Sequence, residues 1–139
     1  MKEIRSIFWH RRDLRINDNI GLSKLSKTSK KIIGIYIFDP YLLDTNRNAS
    51  EAKIWFLCKS LLELKRNWEN IGSRLLLFKG DPIELIPNLK QLINFDCIYW
   101  NRNIEPYEHY RDEEVKKKLR ESKTKFYTFL DQLMVEPST

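Results

Sequence analysis

The sequence predicts a three-layer α/β/α sandwich of the Rossmann-like class, with a five-stranded parallel sheet in the order 3-2-1-4-5. Short β-branched and aromatic runs alternate with longer amphipathic segments, which is typical of strand–helix–strand units. Several of these runs are apolar at almost every position, as in strands that helices cover on both faces. Right-handed crossovers between such strands then give a doubly wound sheet.

The first two strands are short and apolar. Residues 4–9 form the first, and residues 32–38, which are nearly all apolar and β-branched, form the second. Between them, Asn-Asp-Asn at residues 17–19 supplies an N-cap for a helix over residues 20–25. Asp39-Pro40 ends the second strand. The composition of residues 32–38 is typical of a strand buried on both faces.

Residues 50–71 give the clearest helical pattern in the chain. Ser50 is the predicted N-cap, Gly72 is the predicted stop, and one face is apolar. Phe56 points instead into the polar face, where an exposed aromatic is either ordinary or available to a ligand or another domain. We expect Phe56 to contact the remainder of a longer protein. The apolar face consists of Ile54, Leu57, Cys58, Leu61, Leu64 and Trp68.

The second half of the chain continues the alternation of strands and helices. Residues 74–78 form a third buried strand, and residues 82–92 form a helix that begins at a proline. Residues 96–100 form the fourth strand, and a helix begins at Glu105-Pro106 and ends near residue 121. Residues 125–130 form the fifth strand, which completes the sheet.

Length and composition indicate one globular domain. The 139 residues are 42% hydrophobic and 32% charged, which excludes a disordered chain. No apolar stretch approaches the roughly 20 residues that a membrane span needs, and the N-terminus lacks the apolar core of a secretion signal. Cys58 and Cys97 sit in apolar runs without metal-ligand spacing. We therefore expect a cytoplasmic protein whose cysteines are buried and reduced.

The net charge of +6 lies in the first 70 residues, which hold 14 Lys and Arg against 8 Asp and Glu. A basic face attracts an anionic cofactor, nucleic acid or an acidic partner, although a solvated surface is the commoner explanation. Charge alone therefore leaves these classes of partner open.

Polar loops follow the first, second and fourth predicted strands. In an open parallel sheet, ligands bind outside the carboxyl ends of the strands, near the point where the strand order reverses. Residues 10–15, 39–40 and 101–107 should therefore meet at one edge and offer guanidiniums, amides, carboxylates and aromatic rings. This combination suits a planar, polar, partly anionic small molecule.

Several classes of site are excluded because their motifs are missing. No glycine-rich dinucleotide loop and no phosphate loop of the nucleotide-triphosphate type occurs in the sequence. No Ser or Cys occupies a nucleophile elbow, and His10 and His109 form no metal-ligand pair with a cysteine.

Each remaining candidate residue also has a structural explanation. His10 can be a packed or hydrogen-bonded residue, and Arg12 can simply pair with Asp13. Asp39 can be a turn former, and Glu105 can serve the first turn of its helix. The charges of residues 111–118 can form a solvated helix face. Their shared position at one sheet edge is what favours a site.

Four motifs, in this order and spacing, resemble the DNA photolyase/cryptochrome family. They are residues 8–22 (FWHRRDLRINDNIGL), 34–40 (GIYIFDP), 72–82 (GSRLLLFKGDP) and 99–107 (YWNRNIEPY), followed by Arg111-Asp112. Within the family, the pattern is most similar to the cyanobacterial photolyases that repair cyclobutane pyrimidine dimers and carry a deazaflavin antenna.

The resemblance implies a fold and a full-length protein with two domains of different function. Residues 1–132 are identified as the N-terminal α/β antenna domain, and residues 133–139 as the start of the linker between domains. The C-terminal domain, which binds FAD and flips the lesion out of damaged DNA, is expected to be absent from this chain. The full-length deoxyribodipyrimidine photolyase would repair DNA as a monomer, whereas this chain alone is expected to be inactive.

The resemblance also implies the residues that bind the antenna pigment, and it implies no catalytic residue and no metal. The favoured pigment is 8-hydroxy-5-deazaflavin, with methenyltetrahydrofolate as the alternative. Lys53 stands where the family pattern has Arg, and Asn103 stands where the deazaflavin type has Asp. The implied pigment-binding residues are His10, Arg11, Arg12, Asp13, Phe38, Asp39, Lys53, Asn101, Asn103 and Glu105.

Three other functions remain open at this stage. A stand-alone adenine-nucleotide-binding α/β module shares the sheet topology, although no phosphate loop supports it. The antenna domain of a signalling cryptochrome has the same motifs. A DNA-contacting domain would use the basic first half of the chain.

Overall fold

The computed structural model describes residues 5–17, 19–28, 31–41, 50–102 and 105–130. All five predicted strands are present within these ranges, and a helix follows each of the first four. The elements are β1 (Arg5–His10), α1 (Ile20–Thr28), β2 (Lys31–Phe38), α2 (Glu51–Asn70), β3 (Leu75–Lys79), α3 (Pro82–Asn88) with a 3₁₀ turn at Leu89–Gln91, β4 (Cys97–Arg102), α4 (Pro106–Glu121) and β5 (Lys125–Leu130).

The five strands form one parallel sheet in the order β3-β2-β1-β4-β5, which confirms the prediction. β1 lies at the centre, with Phe8 opposite Gly34 of β2 on one side and opposite Tyr99 of β4 on the other. Because all strands run the same way, the segments that follow β1, β2 and β4 leave the sheet at the same edge.

Alternate residues of β1 point into two separate cores, one on each face of the sheet. On one face, Phe8 packs with the apolar sides of α1 and α2. On the other face, Ile7 and Trp9 pack with α3 and α4. The buried core residues of these helices are Leu22, Leu25, Leu61, Leu64 and Trp68 on the first face, and Ile86, Val115 and Leu119 on the second.

The predicted helix caps are confirmed where the structure describes them. The Ser50 side chain accepts a hydrogen bond from the Lys53 backbone N–H at 3.2 Å, and Asn19 Oδ1 accepts one from Leu22 at 3.0 Å. After α2, Gly72 takes a positive φ of 84°, a conformation that glycine adopts without a steric penalty.

Three predictions of burial or length are wrong. β3 was expected to be a buried strand, but it is an edge strand and Leu77 is 45% exposed. Cys58 was expected to be buried, but it lies at the margin of the apolar face of α2 and is exposed, whereas Cys97 is buried. The helix predicted to reach Leu92 ends at Asn88 because Pro87 disrupts its hydrogen-bonding pattern, and a 3₁₀ turn follows.

Within the described ranges, no helix combines the length and the apolar character that crossing a membrane requires.

Gly34→Ala is expected to lower the free energy of unfolding by about 2 kcal/mol, as measured by urea denaturation. The Trp68 indole lies against Gly34, and a Cβ atom there would come within 2.5 Å of the ring. Because the ring is rigid and buried, the sheet or α2 would have to shift, which would also change the fluorescence of Trp68.

Gly72→Ala is the control for this prediction, because a Cβ atom at Gly72 meets nothing within 4 Å. It should cost only about 1 kcal/mol, from the unfavourable φ, and leave Trp68 fluorescence unchanged. Equal losses of stability with no change in Trp68 fluorescence in either variant would contradict the close contact.

Candidate functional site

The loop after β1 and the end of β4 meet, as the sequence predicts. Asn101 Nδ2 donates a hydrogen bond to Asp13 Oδ2 at 2.9 Å, although 88 residues separate the two along the chain. The predicted convergence of these polar segments at one sheet edge is therefore confirmed for the described residues.

Asn101 and Asp13 belong to a buried hydrogen-bonding cluster that also includes Asn19 and Gly21. Asn101 Nδ2 donates to Asn19 Oδ1 at 2.6 Å, and Asn101 Oδ1 accepts from the Gly21 backbone N–H at 2.9 Å. Asp13 accepts from the Arg11 backbone N–H at 2.9 Å and from Asn19 Nδ2 at 3.2 Å. This cluster fills the crevice between β1 and β4 with protein groups.

His10 is fully buried and uses both ring nitrogens within the protein. Its Nε2 accepts a hydrogen bond from Trp68 Nε1 at 3.0 Å, so its Nδ1 carries the proton and donates to the Asp13 carbonyl at 2.9 Å. Burial lowers the pKa of His10, which keeps the ring neutral. These contacts are those of a packed, hydrogen-bonded residue, which is the structural explanation that the sequence offers for His10.

An open groove of about 680 Å³ lies beside this cluster, between the carboxyl ends of β1 and β2 and the first half of α2. Four of the predicted pigment-binding residues line it, namely His10, Arg11, Arg12 and Lys53. Phe56 also lines the groove and is 67% exposed, as its position on the polar face predicts. The other lining residues are Trp9, Leu14, Tyr36, Ile37, Ala52, Leu57, Ser60, Glu108 and Arg111.

The remaining predicted residues lie elsewhere or outside the described ranges. Asp13 and Asn101 belong to the buried cluster, while Phe38, Asp39 and Glu105 do not line the groove. Asn103 lies outside the described residues. A second hollow of 930 Å³ lies between α1 and α2, and none of the predicted residues lines it. The groove is therefore the candidate site.

A buried ionic cluster connects the floor of the groove to α4. Arg11 Nη2 lies 2.8 Å from Asp112 Oδ2, and Arg111 Nη1 donates to Asp39 Oδ2 at 3.2 Å. The guanidinium carbons of Arg11 and Arg111 lie 5.0 and 4.9 Å from the centre of the Trp9 ring. Burial raises the pKa of Asp112, against the opposing attraction of the two arginines.

Asp39 both forms a turn and anchors side chains from α4. Its Oδ1 accepts from the Tyr41 backbone N–H at 2.9 Å, which is the predicted turn-forming role. Its Oδ2 also accepts from the Tyr107 hydroxyl at 2.7 Å, and burial together with this bond raises the pKa of Tyr107. Asp39 therefore fixes α4 against the end of β2.

Arg12 does not pair with Asp13, whose carboxylate belongs to the buried cluster. The Arg12 Nε instead donates to Glu108 Oε1 at 3.2 Å, and the Arg12 Nη2 lies 3.8 Å from Glu105 Oε1. The described residues contain no group of His, Cys, Asp and Glu side chains that could hold a metal ion.

The family model described as DNA photolyase matches residues 6–139 of the chain. The chain belongs to the DNA photolyase family. Among its photolyase relatives, the deoxyribodipyrimidine photo-lyase of Synechococcus sp. (strain ATCC 27144 / PCC 6301 / SAUG 1402/1) is 40% identical over 131 residues, 94% of this chain.

Solved photolyases share the fold as well as the sequence. The archaeal photolyase from Sulfolobus tokodaii aligns with a TM-score of 0.87 at 33% identity over 97% of this chain. The class III photolyase from Agrobacterium tumefaciens aligns with a TM-score of 0.84 at 31% identity over 99% of it. The chain covers 27% of the Synechococcus photolyase and 31% and 28% of the two solved chains, so it corresponds to less than a third of each.

The sequence analysis did not predict that charged residues of α4 are buried in this photolyase-family chain. Arg111 and Asp112 fit a solvated helix face by composition, yet both are buried together with Glu108. Their spacing could have revealed it, because Glu108, Arg111 and Asp112 fall on the same helical face as the apolar Val115 and Leu119. Charged residues on an apolar face indicate a buried ionic cluster.

Proposed function

We propose that this chain is the N-terminal light-harvesting domain of a deoxyribodipyrimidine photolyase, and that the groove binds the antenna pigment. The observation that carries the proposal is the groove itself, which combines aromatic walls, cationic side chains and the polar edge of a parallel sheet. Its volume of about 680 Å³ falls within the usual range for small-molecule sites.

We infer that the pigment is 8-hydroxy-5-deazaflavin, with methenyltetrahydrofolate as the alternative. Apolar and aromatic side chains, including Tyr36, Ile37, Phe56 and Leu57, suit a flat ring. Lys53 lies at the start of α2, where its ammonium would neutralise the ionised hydroxyl of a deazaflavin. The Sulfolobus tokodaii relative contains two FAD molecules, with the implication of a novel light-harvesting cofactor. A ring of the flavin type is therefore a reasonable occupant of a related domain.

In this proposal, the bound pigment absorbs blue or near-ultraviolet light and transfers the excitation energy to FAD in the full-length protein. The residues of this chain bind the ring, orient it and exclude water from one face. Cleavage of pyrimidine dimers belongs to the FAD-binding domain of the full-length photolyase, which also binds damaged DNA. We expect this chain alone to bind pigment and to leave dimers unrepaired.

Titration of the purified chain with 8-hydroxy-5-deazaflavin, methenyltetrahydrofolate and ATP tests the proposal. The expected result is a red-shifted absorption band with the deazaflavin, because binding transfers the ring from water into an apolar groove. A folate complex alone would keep the antenna function and change the pigment. Binding of ATP alone would contradict the antenna function.

Lys53→Ala is expected to weaken binding of the deazaflavin by about 10-fold, since one charge-assisted contact is lost. Fluorescence titration measures the dissociation constant, and thermal unfolding should be unchanged because Lys53 is exposed. Lys65→Ala is the matched control, since Lys65 is exposed on the same helix and does not line the groove. Equal affinities of the two variants for the deazaflavin would show that Lys53 does not contribute to pigment binding.

A further inference from the structure

An outer stripe of exposed apolar side chains, formed by Trp55, Cys58 and Leu62, runs along α2. These residues follow one another at spacings of three and four, so they lie on one face of the helix. Trp55 is 64% exposed, Leu62 is 58% exposed, and Cys58 is also exposed. Single exposed apolar residues are ordinary, but a row of them that includes a tryptophan indicates a surface that another molecule covers.

The outer stripe faces away from the candidate pigment groove. The residues of α2 that line the groove, such as Phe56 and Ser60, lie on the other flank, because each residue turns the helix by about 100°. Leu77 of the edge strand β3 is 45% exposed and points to the same side of the sheet as α2. This direction follows from Leu75, two residues earlier, which packs in the core beneath α2. Exposed apolar side chains therefore lie on both α2 and the edge strand on this side of the domain.

Opposite charges stand at the two ends of the outer stripe. Glu51 precedes Trp55 by four residues, and Arg66 follows Leu62 by the same interval. Both charged residues are exposed. A second copy that approaches in the antiparallel direction can set its Leu62 opposite Trp55. In that register its Arg66 lies opposite Glu51, and two-fold symmetry repeats both pairs. In the parallel direction each charge would face its own like, so the outer stripe is complementary to itself in the antiparallel direction.

We propose that the outer stripe is a two-fold interface between two copies of this chain, with their α2 helices antiparallel. Trp55 is the expected anchor, because a tryptophan that a partner covers contributes more to association than most residues do. Lys59, beside the stripe, has its Nζ 5.0 Å from the centre of the Trp55 ring, so it is drawn toward the ring and away from its own counterpart across the axis. A single pair of helices buries a small area, so the dimer should form reversibly.

The inference goes beyond the proposed function, which concerns one chain and its pigment. It also differs from the monomer that the family resemblance implies for the full-length protein. Because the groove and the outer stripe lie on different flanks of α2, pigment binding and self-association can each fail without the other.

Sedimentation equilibrium of the unaltered chain at increasing concentrations measures the dimer directly. The average mass should rise from 16.8 kDa toward twice that value. Leu62→Lys should keep the mass at that of one chain over the same range, because it places a charge against Trp55 of the second copy. A mass of 16.8 kDa for the unaltered chain at every concentration would overturn the proposal and leave the stripe to a different partner.

Reversal of the end charges tests the antiparallel register. Glu51→Arg and Arg66→Glu should each raise the dissociation constant of the dimer at least about 10-fold, since each creates two like-charge pairs. The double variant has opposite charges again and should return the constant to that of the unaltered chain. Glu63→Arg is the control, because Glu63 is exposed on α2 outside the stripe and should leave the constant unchanged. A double variant as weak as the two single variants would overturn the proposed register.

Cross-linking adds a readout that needs no charge substitution. In the antiparallel register the two-fold axis passes beside Cys58, so the Cys58 thiols of the two copies lie close together. A short bismaleimide should therefore join two chains, whereas Cys97 is buried and should not react. Cys58→Ser should abolish the covalent dimer. If the unaltered chain dimerises in solution but the reagent does not join the two copies, the interface lies elsewhere and the proposal is overturned.

Discussion

Arg111→Ala is expected to lower the free energy of unfolding by about 3–5 kcal/mol, the largest effect of any substitution considered for this chain. The Arg111 guanidinium lies among three buried carboxylates, those of Asp39, Glu108 and Asp112. Removing it would leave these charges in a medium that solvates them poorly. α4 would also lose one of its bonds to the end of β2, the one from Arg111 Nη1 to Asp39 Oδ2.

Urea denaturation monitored by circular dichroism measures this effect. Lys117→Ala is the control, because Lys117 is exposed on the same helix and should change stability by less than about 0.5 kcal/mol. If Arg111→Ala lost no more than the control, the buried ionic cluster would not contribute to the stability of the fold.

The protein is expected to lose stability as the pH falls from 7 to 5 because of His10. Burial lowers the pKa of His10 below its ordinary value of 6.5. As the pH falls through 6.5, the unfolded chain takes up a proton that the folded chain does not. Stability is therefore complete above this pH and decreases below it, by up to about 1.4 kcal/mol per pH unit.

His10→Gln should abolish this part of the pH dependence and cost about 3 kcal/mol at pH 7.5. The variant loses the ring contacts with Phe8 and Trp68, and the Asp13 carbonyl loses one of its two donors and keeps only the Arg15 backbone N–H. His109→Gln is the control, since His109 is exposed and should leave the curve of stability against pH close to that of the unaltered chain. Identical curves for the two variants would exclude His10 as the titrating group.

The strand order was predictable because it follows from local signals. Apolar runs, helix caps and the handedness of crossovers together determine which strands are neighbours, and none of these requires knowledge of distant contacts. The convergence of the loops after β1, β2 and β4 follows from the parallel arrangement alone. Motif resemblance then predicted four of the residues that line the groove, including Lys53.

The interior of the site was not predictable in the same way. The pairing of polar atoms, such as those of Asn101 and Asp13, depends on distances across the edge of the sheet. No local sequence pattern determines these distances. The exposure of Leu77 depends on whether another element covers the outer edge of β3. The position of Cys58, at the margin of an apolar face, was equally a matter of tertiary packing.

The bond between Asn101 and Asp13 constrains the timing of folding during synthesis. A ribosome adds about 5–20 residues per second, so roughly 4–18 seconds pass between the synthesis of the two residues it joins. Throughout that interval, the Asp13 carboxylate lacks its amide donor from β4, and the nascent amino-terminal half cannot complete its native interior. The loop after β1 therefore reaches its final conformation only after the fourth strand has left the exit tunnel.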